Sequence, residues 1–151
     1  MSVKVGIISD THGLLRPEVV GTLKNCDYIL HAGDFADERI LDKLRFLGGK
    51  LYAVRGNNDY YWAEELSYSL RFRIEELEFL MVHDRYDAGR KAAEADVVIY
   101  GHTHRYAEEV ADGRLWLNPG SCGRARFGGE VSFAVMEISG REYTIQKILL
   151  S

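Results

Sequence analysis

Apolar residues in the first sixty positions fall into short runs and helix-spaced sets, and each short run stops at a polar cluster. Val3, Val5, Ile7 and Ile8 read as a buried strand ending at Ser9-Asp10. Pro17 suits a first helical position, and Val19, Val20 and Leu23 behind it share one face. Tyr28–His31 reads as a second strand ending at Gly33-Asp34. Asp37 is placed to cap a helix in which Ile40, Leu41, Leu44 and Leu47 recur at helical spacing and which Gly48-Gly49 stops. Leu51–Val54 is a third strand, ending at Gly56-Asn57-Asn58-Asp59. This βαβαβ order favours parallel strands with helical crossovers.

The rhythm then changes. Leu70, Phe72 and Ile74 alternate with Ser69, Arg71 and Arg73, the pattern of a strand with one wet face. Phe79–Val82 is a strand ending at His83, residues 88–95 form a short helix with a small-residue face, and Val97–Tyr100 is a strand ending at Gly101-His102-Thr103-His104. Asp112-Gly113 and Ser139-Gly140 signal two hairpins, so an α/β front half runs into a more antiparallel back half. Two sheets packed face to face, with helices outside, accommodate both.

Composition narrows the class. The 151 residues contain two prolines, no linker-like stretch and no repeat, so residues 1–151 are expected to form one domain. No run approaches the ~18 apolar residues of a membrane span, and Val3–Ile8 is interrupted by Lys4 and too short for a signal-peptide core. A cytoplasmic protein follows, with Cys26 and Cys122 as reduced thiols. Nineteen Lys plus Arg against twenty-three Asp plus Glu, a net charge of −4, argues against strong nucleic-acid binding through the chain's own cations.

The polar residues at the strand ends carry the chemistry. Asp10 and His12, Asp34, Asn57, His83, and His102 with His104 each follow directly after a predicted strand, where open α/β sheets bind ligands. Alone, Asp10-Thr11-His12 and Gly33-Asp34 read equally as turns. Jointly they stand out, because four of only five histidines lie at predicted strand ends. Carboxylates, imidazoles and one amide oxygen suit Mn²⁺, Fe²⁺, Co²⁺, Ni²⁺ or Zn²⁺. Seven ligands exceed the needs of one tetrahedral ion; with a bridging carboxylate, two ions roughly 3.5–4 Å apart would clamp the oxygens of a phosphoryl transfer.

The ordered series Asp10-Thr11-His12, Gly33-Asp34, Gly56-Asn57-Asn58-Asp59, His83 and Gly101-His102-Thr103-His104 resembles the calcineurin-like metallophosphoesterase superfamily. His31-Ala32-Gly33-Asp34 and Asn118-Pro119-Gly120-Ser121 resemble its small bacterial and archaeal phosphodiesterase branch. The resemblance implies a four-layer α/β-β-α sandwich, two packed mixed β-sheets flanked by helices. It implies a first ion held by Asp10, His12, Asp34 and His104, with Asp34 bridging, and a second completed by Asn57, His83 and His102. Two divalent cations, manganese foremost and nickel, iron, cobalt or zinc as alternatives, would activate a bridging water for in-line attack on a small or nucleotide-like phosphodiester.

Two departures from the family pattern matter. Asn58 stands where the family commonly has a histidine assigned to the transition state or the leaving group, and an amide cannot deliver a proton near neutral pH. His83-Asp84-Arg85 replaces the family's His-Gly-His. Asn58 and Asp59 are the candidate catalytic residues, Asp59 by orienting a ligand or water. His31 is expected to pack or to support a ligand. Tyr60, Tyr61 and Trp62 are either a wall for a leaving group or an aromatic cluster over the core or a subunit contact. Arg105, Arg124 and Arg126 reach a phosphate or remain solvated, and Ser121 lies outside any nucleophile-elbow pattern. The alternative function is a non-catalytic scaffold, since a eukaryotic trafficking subunit of the superfamily uses the fold that way. The oligomeric state stays open, a homo-oligomer included.

Overall fold

The computed structural model describes residues 2–59, 61–125 and 129–150, so the expectations for Tyr60 and Arg126 fall outside the described residues. Strand β1 (Val3–Ile8), helix α1 (Pro17–Leu23), β2 (Tyr28–His31), α2 (Glu38–Arg45) and β3 (Lys50–Ala53) follow the predicted order. Pro17 opens α1, and the Asp37 carboxylate accepts the Arg39 N–H to cap α2. Then come β4 (Ser69–Ile74), β5 (Leu77–Val82), β6 (Val97–Ile99), β7 (Ala107–Ala111), β8 (Arg114–Asn118), β9 (Val131–Ser139) and β10 (Glu142–Leu150).

Two five-stranded sheets result, ordered β10-β9-β1-β2-β3 and β4-β5-β6-β8-β7. Both are mixed, as the resemblance implies, and the antiparallel pairs all involve the back half: β4-β5, β7-β8, β9-β10 and β9-β1. The β9-β10 hairpin returns to the first sheet and pairs antiparallel with β1, Val3 opposite Ile138, while β5, β6 and β8 run parallel in the second sheet. Turn chemistry marks hairpins reliably, but it does not say which sheet a hairpin joins. Residues 88–95 also differ from expectation. They form a 3-10 helix, Gly89–Glu94, and Ala92 within it and Ala88 and Ala95 at its two caps are too small to bury much surface, so this outer layer is thin.

Two large apolar layers hold the sandwich together. Between the sheets lie Val5, Ile7 and Leu30 against Phe72, Phe79, Met81 and Ile99. Under α1 and α2, Ile8, Val19, Leu23, Leu41 and Leu44 pack with Phe133. Phe79 is fully buried, and its truncation to alanine would cost about 3–5 kcal/mol. Among the described residues no helix is long and apolar enough to cross a membrane.

The topology sends the C-terminal ends of the parallel strands of both sheets to one edge. Asp10 N–H donates to the Gly33 carbonyl at 2.9 Å, and His12 N–H to the Asp34 carbonyl at 3.1 Å, tying the loops after β1 and β2. His83 Nδ1 meets the Ala32 carbonyl at 2.7 Å and links the two sheets at this end.

Candidate metal centre

Five of the seven expected ligands, Asp10, His12, Asp34, His102 and His104, sit at positive φ between 47° and 74°. Such backbone is strained for residues with a Cβ and persists only where surrounding bonds hold it. Glycines make the close approach possible. A Cβ on Gly56 would run into the Asp34 carboxylate, and one on Gly101 into Ser9 and Asp10.

Within this frame Asp10 is fully buried. Its Oδ2 accepts from Ser9 Oγ at 2.7 Å and from the His102 N–H at 3.1 Å. Its Oδ1 has no hydrogen-bond partner. That oxygen instead faces three imidazoles, with His104 Nε2 at 3.4 Å, His12 Nε2 at 3.6 Å and His83 Nε2 at 3.8 Å. Asp34 Oδ2 stands 3.2 Å from His83 Nε2 and 3.7 Å from His12 Nε2, so both carboxylates lie between the histidines. Two groups with metal-ligating geometry follow, Asp10-His12-His104 and Asp10-Asp34-His83.

Asn57 adjoins the second group. One terminal atom of its amide is 3.0 Å from His83 Nε2 and 3.1–3.2 Å from the Asp34 oxygens. With nitrogen inward it donates to them; with oxygen inward it extends a set of acceptors that only a cation satisfies. His102 lies at the rim: its ring meets the His83 ring edge-on at 5.2 Å, its Nε2 is 3.8 Å from Asp84 Oδ2, and its side chain is 45% exposed.

Electrostatics are those of a preformed cation site. Burial by itself would raise the Asp10 carboxyl, but His104, His12, His83 and Ser9 together hold it well below the usual carboxylate range. Asp34 is also lowered: burial opposes this, and the His83 ring and the Asn58 N–H overcome it. Burial would lower His83, yet Asp34 and Asp10 push it up to about 9. A divalent ion would take the place of that proton.

Asn58 and Asp59 touch the carboxylate loop rather than open solvent. Asn58 donates to Asp34 twice, from its backbone N–H at 2.9 Å and from Nδ2 at 3.1 Å. Asp59 is buried and accepts the backbone N–H groups of Asp34 and Gly56 at 2.9 Å and of Ala36 at 3.0 Å, so what it orients is the backbone carrying Asp34. His31 is fully buried against the Phe35 ring at 3.6 Å, accepts the Gly33 N–H at Nδ1 and meets Thr11 Oγ1 at Nε2; its burial pushes its pKa down to about 3. Trp62 packs edge-on against Phe35 at 5.8 Å, at the margin of the core under the helices, while Tyr61, Arg105 and Arg124 are exposed.

The sequence reading gave Asn118 and Ser121 no task, and the structure makes them braces. Asn118 Nδ2 donates to the Gly101 carbonyl at 3.1 Å and to Thr103 Oγ1 at 3.0 Å, fixing the loop of His102 and His104. Ser121 Oγ donates to the Asp10 carbonyl at 2.8 Å. Their signal was the Asn118-Pro119-Gly120-Ser121 segment, which stands out beside the other motifs but taken alone reads as an ordinary Pro-Gly turn after a strand.

The family model for the calcineurin-like phosphoesterase superfamily domain matches residues 3–141. The chain is 28% identical to phosphodiesterase MJ0936 of Methanocaldococcus jannaschii, over 93% of this chain and 96% of that one. It is 36% identical to a probable metallophosphoesterase of Methanothermobacter thermautotrophicus, over 78% of this chain and 76% of the other. Among solved structures it resembles wild-type Vps29 of Entamoeba histolytica complexed with Zn²⁺, with a TM-score of 0.82, 25% identity and coverage of 97% and 92%.

Proposed function

Since the chain belongs to the calcineurin-like phosphoesterase superfamily, we propose that it is a metal-dependent phosphodiesterase acting on small or nucleotide-like phosphodiesters. The observation that carries this reading is Asp10 Oδ1, a buried carboxylate oxygen with no hydrogen-bond partner and three imidazole nitrogens within 3.8 Å. Leaving such an oxygen unsatisfied costs about 1–3 kcal/mol or more, and a cation removes that cost.

In this reading Asp10, His12, Asp34 and His104 would hold one ion, and Asp34, Asn57, His83 and His102 would hold a second, with manganese the first candidate. Bound divalent cations supply a lowered water pKa at neutral pH and charge neutralisation for phosphoryl oxygens. The chain's own groups do the remaining work. His83 donates Nδ1–H to the Ala32 carbonyl, which leaves Nε2 as its ligand atom. Asn58, fixed by two hydrogen bonds to Asp34, offers no proton to a departing alkoxide. Substrates with good leaving groups are therefore favoured over alkyl monoesters.

The relative named a phosphodiesterase, matched over nearly its whole length, supports this reading. A non-catalytic interaction module on the same fold remains the competing reading. It gives no reason to keep two buried carboxylates and three imidazoles converging, all but His83 on strained backbone. The test is hydrolysis of bis(4-nitrophenyl) phosphate by chelator-treated protein with Mn²⁺ or Ni²⁺ restored. Turnover that needs the metal and falls by at least about 10³-fold in Asp34→Ala and His104→Ala supports the enzyme. Undiminished turnover in either variant overturns it.

A further inference from the structure

Beside the metal centre runs a groove of about 700 Å³ that the sequence reading did not anticipate. Its floor and walls include Tyr86, Tyr100 and Trp116, and Arg105 stands at its margin. The groove is not remote from the candidate chemistry. Asp84 and His102 line it, and the same two residues line a smaller pocket of about 160 Å³ that also contains Asn57 and His83. The Asp84–His102 pair is thus a partition between the ligand cluster and an aromatic groove.

One wall is prearranged for a planar group. The Arg85 guanidinium lies 4.4 Å from the Trp116 ring centre and 5.6 Å from that of Tyr100, and Glu109 holds it at 3.3 Å. The stack sets the Arg85 guanidinium beside the Trp116 ring before any ligand arrives. The next residue, Tyr86, lies within the short 3-10 turn Arg85–Asp87 that the Asp84 carboxylate caps by accepting the Tyr86 N–H at 3.1 Å. The residue is 94% exposed. A large apolar ring fully in water next to a groove of nucleoside size contributes nothing to folding, and it is free to stack on a ligand.

We propose that this groove is the subsite for the organic group esterified to the phosphate, and that the group it selects is a planar aromatic ring of nucleobase type, stacked on Tyr86 beside the Arg85–Trp116 wall. The assignment rests on the phosphodiesterase reading for its chemistry but makes its own prediction about binding. With the phosphoryl group at Asn57 and His83, the ester substituent passes over His102 into the groove. Arg105 then faces any additional anionic group on that substituent.

Two diesters sharing one leaving group test the subsite: the 4-nitrophenyl ester of thymidine 5′-phosphate and methyl 4-nitrophenyl phosphate. The thymidine diester should be the better substrate by roughly tenfold or more in kcat/KM, the scale of one stacked ring. Tyr86→Ala should erase most of that preference by raising KM for the thymidine diester. Tyr86 is exposed enough that the substitution does not threaten the fold. Equal turnover of both diesters by the unaltered protein, or a preference that survives Tyr86→Ala, overturns the subsite while leaving the phosphodiesterase reading standing.

Binding gives a readout that does not need turnover. With Trp62→Phe leaving Trp116 as the single tryptophan, adenosine 5′-phosphate should quench its fluorescence, and ribose 5-phosphate should not. If quenching occurs and neither diester is hydrolysed with any metal, the phosphodiesterase reading fails and the aromatic subsite stands. Absence of quenching, or equal quenching by ribose 5-phosphate, removes the subsite.

Discussion

Asp34 Oδ2 and His83 Nε2 lie 3.2 Å apart and bring together the ends of β2 and β5, one strand from each sheet. With Asp10 behind it, this pair lifts the imidazole to about 9, so His83 carries a proton at pH 7 in the metal-free chain. A cation binding at Nε2 displaces that proton. Apparent Mn²⁺ affinity should therefore rise about tenfold per pH unit from pH 7 and level off near 9, with about one proton released at pH 7. Calorimetric titration in buffers of different ionisation enthalpy measures the release. The sign for stability is opposite. The protonated pair stabilises the metal-free fold fully below pH 6.5, the ordinary histidine value, and that contribution fades as pH climbs through 9. A flat affinity profile would mean that His83 is not a ligand.

His31 moves the other way. It is buried and neutral, with its pKa pushed down to about 3 against 6.5 in the unfolded chain. Its contribution is present above 6.5 and is lost as pH falls from there toward 3. Between pH 7.5 and pH 5 this one residue should remove about 2 kcal/mol of stability. His31→Gln, which can still meet Thr11 and Gly33, should lose that much less over the same interval. Urea denaturation of chelator-treated protein at both pH values gives the comparison, and parallel losses in the two proteins would refute it.

Asp59 anchors three backbone N–H groups around Asp34. Asp59→Ala leaves these buried donors without an acceptor, at a cost of about 3 kcal/mol in total. It also releases the strained backbone at Asp34, so Mn²⁺ affinity should fall together with stability. Asp59→Asn retains one acceptor and should lie between the two. Denaturation and metal titration of both variants check the order. An Asp59→Ala protein with unchanged metal affinity would make the loop's geometry independent of Asp59.

Most elements were legible because their patterns are local. The apolar periods that mark β1 through β3 and the Asp37 cap depend on neighbours a few residues away, and Asp10, Asp34 and His83 could be singled out because each terminates such a run. What the chain did not disclose is non-local. That β9 pairs with β1 depends on which sheet has a free edge, and that Asn118 holds the Gly101 loop depends on β6 and β8 lying side by side. The aromatic wall is the same kind of feature: Arg85 and Trp116 are thirty-one positions apart and meet only through the sheet. Trp62, read as a wall for a leaving group or as part of an aromatic cluster over the core, takes the second part by packing on Phe35.

Asn58 allows the sharpest test of how the site treats a leaving group. Its Nδ2 donates to Asp34 Oδ2, so it lies at the carboxylate rim, yet it has no proton to give an alkoxide. Rates of the unaltered protein should therefore fall steeply as the leaving alcohol becomes less acidic, with 4-nitrophenyl diesters turned over well and alkyl diesters barely. Asn58→His restores an acid that titrates near neutrality. General-acid assistance is worth roughly 10²–10⁴-fold, and part of it is lost with the hydrogen bond to Asp34, so a gain of about 10²-fold on alkyl diesters is expected. On 4-nitrophenyl diesters, whose departing phenolate needs no proton, the same variant should gain nothing. Plotting log kcat/KM against leaving-group pKa for both proteins gives two slopes, and the variant's should be shallower. Identical slopes would place residue 58 out of reach of the departing oxygen and leave Asp34 as its only partner in the chemistry.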